Sequence, residues 1–206
     1  YLHARIFNLQ ARSRAGIIAR RHYDLDNDFF LSFLDSYNQY SCGYFDETND
    51  LEEAQQKKLD LLCRKLNLQA GDHVLDIGCG WGGFARYAAE HYGCTVTAVN
   101  ISEEQIRYAR EHCAALPVKV VSQDYRSIRG TYDKIVSVGM FEHVGHRNYR
   151  AFIGVVHRCL KEGGIFLLHT IGGNRSCINC DPWINRYIFP NGMLPSVAQI
   201  GRAAEG

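Results

Sequence analysis

The chain contains no run of about 18 apolar residues, so nothing in it reads as a membrane-spanning helix, and its start shows no signal-peptide pattern. It has a single C-x-x-C, Cys177 and Cys180, with no second pair to complete a zinc site. Its eight cysteines are scattered, several of them (Cys63, Cys113, Cys159) inside apolar or helical segments. That pattern suits buried free thiols in a reducing compartment better than a disulfide framework. There is no internal repeat, low-complexity tract or composition-marked linker. Charge of neither sign dominates: 23 Lys and Arg against 22 Asp and Glu leave a net charge of +1, which alone points to no partner. The acids are nevertheless missing from one place. The first 23 residues hold Arg5, Arg12, Arg14, Arg20 and Arg21, and no acid occurs before Asp24. With Leu2, Ile6, Leu9 and Ile17 interspersed, this stretch can either rest on an anionic membrane surface or pack as a solvated helix on the domain.

What remains is the composition of an ordinary globular protein, 46% hydrophobic and 22% charged over 206 residues. That length fits one domain with a sizeable core, or a domain and a small accessory segment. Residues 1–50 read as an N-terminal helical, lid-like segment and residues 51–206 as the main domain. Asp50 followed by Glu53 marks a helix start, with Leu51, Ala54, Leu59, Leu62, Cys63 and Leu66 at helical spacing. From Val74 strands alternate with helices. Strands are expected over His73–Ile77, Thr95–Val99, Val118–Ser122, Lys134–Val138 and Ile165–His169. Helices are expected over Gly82–His91, Glu103–Ala114 and Arg147–Leu160, the last with Gly163 as its stop signal. Such alternation implies an α/β fold with a doubly wound parallel sheet.

The most informative stretch is VLDIGCGWGG, residues 74–83. An apolar run ends in an acid, and four glycines occupy the next six positions. Glycine tolerates positive φ and lets the backbone approach a ligand closely, and a helix beginning at such a loop turns unpaired N–H groups toward it. Gly78, Gly80 and Gly83 satisfy G-x-G-x-x-G, so a dinucleotide is formally possible. Against it, the second strand ends in Asn100, where a nicotinamide enzyme usually has an acid for the ribose. The acid inside the motif, Asp76, instead precedes the first glycine, an arrangement that resembles the first motif of class I S-adenosylmethionine-dependent methyltransferases.

The polar residues expected at strand carboxyl ends supply the other candidates. In VNISEEQ, Ser102 and Gln105 have capping-box spacing, while Asn100 or Gln105 can alternatively bond a ribose. Asp124 and Tyr125 suit an adenine, an acceptor beside an aromatic face, although aspartate in a loop is more often a turn former. IVSVGMFEHVG runs a buried strand through Gly139 and Phe141 into Glu142, which is either a proton handler or a structural acid for backbone N–H groups. His169 ends the fifth strand and should be largely buried, as a core residue or as the partner of that glutamate.

Taken in order, YSCGYF, VLDIGCGWGG, SVGMFEHVG, LLHTIGG and DPWINRYIFPNGMLPS resemble bacterial cyclopropane-fatty-acyl-phospholipid synthases and, more distantly, mycolic acid cyclopropane synthases. The resemblance covers nearly the whole chain. It implies a class I methyltransferase fold, Rossmann-like, that uses S-adenosylmethionine to place a methylene across a cis double bond of a membrane phospholipid acyl chain. The implied cofactor contacts are Tyr40, Ser41, Asp76, Gly78, Gly80, Asn100, Ile101, Gln105, Asp124 and Tyr125. It further implies a bicarbonate ion held by Cys42, Glu142, His169 and Ile171 near Gly139, with Cys42 not acting as a nucleophile. Flanking aromatics such as Tyr40, Tyr44 and Phe141 can face a developing carbocation, and Phe141 can equally be core. The implied setting is cytoplasmic and peripheral to the inner face of the cytoplasmic membrane. The expected partners are unsaturated phospholipids, with no nucleic acid and no metal, and a homodimer is left open. Family members have a seven-stranded sheet, a further N-terminal domain and a downstream tyrosine completing the anion site, so these residues are expected to be a fragment with an open sheet edge. The alternatives are a methyltransferase of the same fold that stops at methyl transfer, and a module that binds cofactor or lipid without catalysis.

Overall fold

The computed structural model describes residues 8, 10–12, 27–189 and 191–205. Arg5, Arg14, Arg20 and Arg21 of the basic stretch lie outside them. Among the described residues five parallel strands form one sheet in the order β3-β2-β1-β4-β5. They are β1 (His73–Ile77), β2 (Thr95–Asn100), β3 (Val118–Ser122), β4 (Tyr132–Val138) and β5 (Leu160–His169). The helices are α1 (Asn27–Leu31), α2 (Leu51–Lys65), α3 (Gly83–Tyr92), α4 (Glu103–His112), α5 (Tyr149–Cys159), α6 (Pro182–Tyr187) and α7 (Val197–Ala204).

The starts of α2 and α4 follow from capping chemistry visible in the sequence. Asp50 accepts from Glu53 N, and Ser102 accepts from Gln105 N, each satisfying an otherwise orphaned helix N–H. Central strands of a parallel sheet are covered on both faces, and their residues divide accordingly. Val74, Val96, Ala98 and Val136 pack with Leu59, Leu62, Leu66, Phe84 and Ala88 of α2 and α3 and the turn between them and β1. Leu75, Ile77, Val99 and Ile135 pack on the opposite side with Tyr149, Phe152 and Val156 of α5.

Several boundaries shift by one or two residues, and the junction of α5 with β5 differs more. Helix α5 ends at Cys159 rather than Leu160, and Gly163 does not stop it. Leu160 is already extended and pairs with Tyr132, whereas Ile165 pairs with Lys134. The residues between bulge out of register, and Gly163, at φ +73°, turns within this bulge. Helix and strand are thus joined without a loop.

The order reverses between β1 and β4, the point in an open α/β sheet where a crevice forms at the strand carboxyl ends. Across that end lies the segment 35–42. Asp35 pins its start, accepting from Tyr37 N at 3.0 Å and Gln39 N at 2.6 Å. Gly83, the first residue of α3, permits its close approach, because a Cβ there would collide with the Tyr37 carbonyl oxygen and with Gln39 Nε2. Gly83→Ala is therefore expected to push segment 35–42 off α3 and lower stability by about 1–3 kcal/mol. Denaturant unfolding checks this, and an unchanged midpoint would show that the contact is soft.

Candidate active site

The glycine turn is built on β2. Gly78 N and Cys79 N both donate to Val99 O, at 2.8 and 3.1 Å, and Gly78, Gly80 and Gly82 all have positive φ. Their conformations bring β1 into α3 with the backbone facing an open cavity. Its wall comes from five places: Gln39 to Ser41 before α2, Asp76 to Trp81 after β1, Val99 to Gln105 after β2, Gln123 to Arg126 after β3, and Val138 to Met140 after β4. All ten residues implied as cofactor contacts line it: Tyr40, Ser41, Asp76, Gly78, Gly80, Asn100, Ile101, Gln105, Asp124 and Tyr125. Gln10, Asn38, Phe84 and His143 complete the lining.

Local bonds refine the individual readings. Asn100 donates through Nδ2 to Gln105 Oε1 at 2.9 Å and to Gly80 O at 3.2 Å, while its Oδ1 accepts from Ile101 N. Asn100 and Gln105 thus form one amide pair on the cavity wall, and Ser102 caps α4 beneath them. Asp124 does act as a turn former, accepting from Arg126 N and from Arg126 Nη1 at 2.9 and 2.8 Å. The Arg126 guanidinium covers the Tyr125 ring at 4.4 Å and reaches Gln10 O, which ties residue 10 to the cavity rim. Asp124 is therefore charge-compensated, and Asp76 is not. Asp76 is 2% exposed, and its Oδ2 is buried with no hydrogen-bond partner among the described residues. Burial pushes its carboxyl up to about 7. An unpaired acceptor facing a cavity suits a cationic group of a ligand.

A second group lies behind the same wall. Cys42 Sγ is 3.8 Å from His169 Nε2, and Gly139, a cavity residue, donates its N–H to His169 O at 2.9 Å. His169 is half-buried rather than largely buried, and burial together with the nearby Lys58 charge lowers its pKa. Glu142 is buried. Its Oε1 accepts from Ile171 N at 2.7 Å, and its Oε2 is buried without a partner among the described residues. Ile171 itself is exposed, so it contributes its backbone N–H, already directed at Glu142.

Two expected aromatics are elsewhere. Phe141 is fully buried, stacked on Tyr149 at 4.3 Å and edge-on to Phe152, so its role is core packing. Tyr44 is exposed and absent from the cavity wall. The structure adds residues that the motifs did not single out: Gln39, Gln123 and Met140 in the wall, and Lys58, whose Nζ donates to Ser41 Oγ at 2.8 Å. Lys58 was detectable as a charge on the apolar stripe of α2.

A glycine-turn cavity at the switch point of a parallel sheet is common to Rossmann-like folds. Similarity to solved methyltransferases (coclaurine N-methyltransferase, TM-score 0.78, 29% identity over 92% of this chain and 58% of that one) makes this the class I fold of S-adenosylmethionine-dependent methyltransferases. The chain belongs to the mycolic acid cyclopropane synthetase family, which it matches over residues 10–205. It is 55% identical over 202 residues to cyclopropane-fatty-acyl-phospholipid synthase of Escherichia coli K12, covering 98% of this chain and 53% of that protein. The chain thus spans about half the length of that curated relative. Among solved structures it is similar to the cyclopropane synthase MmaA2 of Mycobacterium tuberculosis, with a TM-score of 0.83, 34% identity and coverage of 92% of this chain and 72% of that one. A mycolic acid cyclopropane synthase, CmaA1, in complex with SAH and CTAB also gives a TM-score of 0.83, at 35% identity over 91% of this chain and 72% of that one.

The unpaired Asp76 carries a stability cost of definite sign. Its carboxyl titrates near 7 when folded and near 3.8 otherwise, so raising the pH from about 4 to 7 ionises it more readily in the unfolded chain and destabilises the fold. Asp76→Asn should unfold at higher temperature than the parent above pH 7, by on the order of 2–4 kcal/mol, and the gap should close near pH 4. A pH-independent difference would show that Asp76 is already ionised and satisfied.

Proposed function

We propose that the chain forms the catalytic core of a cyclopropane-fatty-acyl-phospholipid synthase. The observation that carries this reading is that the glycine cavity and the Cys42–His169 pair share a wall: Ser41 lines the cavity while Cys42 touches His169, and Gly139 lines it while bonding the His169 carbonyl. A methyl donor's pocket then abuts groups that can accept a proton. In this reading S-adenosylmethionine occupies the cavity and supplies an electrophilic methyl group.

The residues present fit it. The Gly78–Gly80 backbone leaves room for close approach, the unpaired Asp76 carboxyl suits the ammonium of the methionine portion, and the Asn100–Gln105 amides and Tyr125 offer ribose and adenine contacts. To take an adenine amino group, Asp124 has to share an oxygen already bonded to Arg126. The rim suits an acyl chain: Tyr40 meets Phe30 at 5.4 Å and Phe33 and Phe189 at 6.3 Å, giving an aromatic wall. Cyclopropane formation also requires loss of a proton from the new methyl, and a strong side-chain nucleophile there would trap the cation.

A bicarbonate held by Glu142, His169, Cys42 and the Ile171 N–H is the proposed acceptor. Its hydroxyl can donate to the partnerless Glu142 Oε2, which relieves the repulsion between carboxylate and anion. Sharing the Ile171 N–H requires Glu142 Oε1 to yield part of that bond. No helix among the described residues is long and apolar enough to cross a membrane, so access to a phospholipid acyl chain is proposed to be peripheral, at the inner face of the membrane. Residues before α2, including the stretch tied down through Gln10, are proposed to act as the lid.

Two experiments test the two halves of the site. Valine at position 78 would combine φ +85° with a Cβ 2.6 Å from Met140 Cβ. Calorimetry should find no measurable S-adenosylmethionine binding to Gly78→Val in a protein with unchanged circular dichroism. Undiminished affinity there would remove the cofactor assignment. In the full-length enzyme, Glu142→Gln should slow cyclopropanation of unsaturated phospholipid vesicles about 10- to 150-fold, with cofactor affinity nearly unchanged. Bicarbonate should restore carbonate-depleted parent enzyme at lower concentration than the variant, with proton NMR of the cyclopropyl methylenes as the readout. A parent rate indifferent to rigorous carbonate removal would eliminate the bound anion and leave Glu142 as the direct base.

A further inference from the structure

The least expected group near the site is a buried lysine. Lys58 is 3% exposed and lies on the face of α2 that also buries Ala54, Gln55, Leu59 and Leu62. An apolar residue would fill that stripe without the cost of dehydrating an ammonium. Lys58 instead directs Nζ at Ser41 Oγ, 2.8 Å away. Gln55, one turn earlier, donates Nε2 to Ser41 O at 2.8 Å and Gln39 O at 3.4 Å. Two polar side chains of one helix thus grip the segment whose Tyr40 and Ser41 line the cavity and whose Cys42 meets His169 at 3.8 Å.

We propose that Lys58 is a positioning residue for the methylene transfer, its ammonium fixing Ser41, and through it Cys42, in the wall between the cofactor cavity and His169. The proposal rests on the function argued above and deepens it. An imidazole with its lone pair free can accept a proton or a hydrogen bond from a bound bicarbonate, and an imidazolium cannot. Burial first, and then the positive charges of Lys58 and Lys65 on α2, lower the His169 pKa, while Cys42 Sγ lies 3.8 Å from its Nε2. Lys58 in turn faces Asp35 and Cys42. The Asp35 carboxylate is engaged by the N–H groups of Tyr37 and Gln39. Burial brings the Lys58 ammonium down to about 8, so it still carries its charge at pH 7.

Three variants separate grip from charge. Lys58→Met removes both, Lys58→Gln keeps a donor for Ser41 without charge, and Lys58→Arg keeps the charge. The His169 ring is titrated by NMR, and kcat/KM for S-adenosylmethionine-dependent cyclopropanation of unsaturated phospholipid vesicles is followed against pH in the full-length enzyme. Lys58→Met and Lys58→Gln should raise the His169 midpoint by about half a unit to one unit and move the acid limb of kcat/KM by the same amount. Lys58→Gln should lose less rate at the optimum than Lys58→Met, and Lys58→Arg should leave the midpoint in place. In the unaltered protein the His169 resonance should show a second, smaller step near pH 8 as Lys58 titrates, a measurement that needs no variant to fold. An unmoved His169 midpoint in a folded uncharged variant, or a resonance with no step near 8, overturns the proposal, as does a rate loss equal at every pH. If the unaltered enzyme makes no cyclopropane, the functional reading fails on its own, and the NMR titration still decides whether Lys58 holds the imidazole neutral.

Discussion

The geometry depends first on the glycine turn between β1 and α3. Gly78 and Cys79 hang from one carbonyl of β2, three glycines adopt positive φ, and Gly83 lets segment 35–42 lie directly on the helix start. A side chain in this turn is excluded by backbone conformation at some positions and by contact at others. Because the turn brings β1, β2 and segment 35–42 together, it also decides where Tyr40, Ser41 and Asn100 meet. The cavity is a consequence of this backbone packing, and the polar side chains decorate it.

The site breaks the usual rules for buried polar groups in a consistent direction. Asp76 and Glu142 each leave a carboxylate oxygen without a partner, and Lys58 spends its ammonium on a serine hydroxyl. Other buried polar groups are satisfied locally, as when Ser137 donates to the Ile77 carbonyl or Asn148 to that of Val144, although the Tyr149 hydroxyl is not. An unmet carboxylate oxygen in a cavity wall, as at Asp76, is a physical mark of a place shaped for a ligand. In the proposed function it also separates two roles, Asp76 as an acceptor toward the cavity and Glu142, His169 and Cys42 as the proton-handling side.

Membership of the mycolic acid cyclopropane synthetase family sets this arrangement among lipid-modifying relatives, yet the chain spans about half of its curated Escherichia coli relative. Within that span lie the residues proposed for both halves of the chemistry, apart from the expected downstream tyrosine, at the carboxyl ends of β1 to β5 together with segment 35–42.

The sequence by itself determined the strands and the order of the motifs. Period and capping are local properties, so α2 and the cores of all five strands are legible from spacing alone, as is the glycine turn. The end of α5 was not, because whether Leu160 continues a helix or pairs with Tyr132 depends on β4, distant in sequence. The ten cofactor candidates follow from strand ends and resemblance, and the parallel sheet gathers them on one cavity. Only the tertiary structure decided that Phe141 belongs to the core, that the Ile171 N–H is already directed at Glu142, and that Lys58 of α2 reaches Ser41. Each of these is a contact between elements far apart in the chain. Direction of a side chain across such a gap is set by packing, which a linear pattern of residue types does not encode.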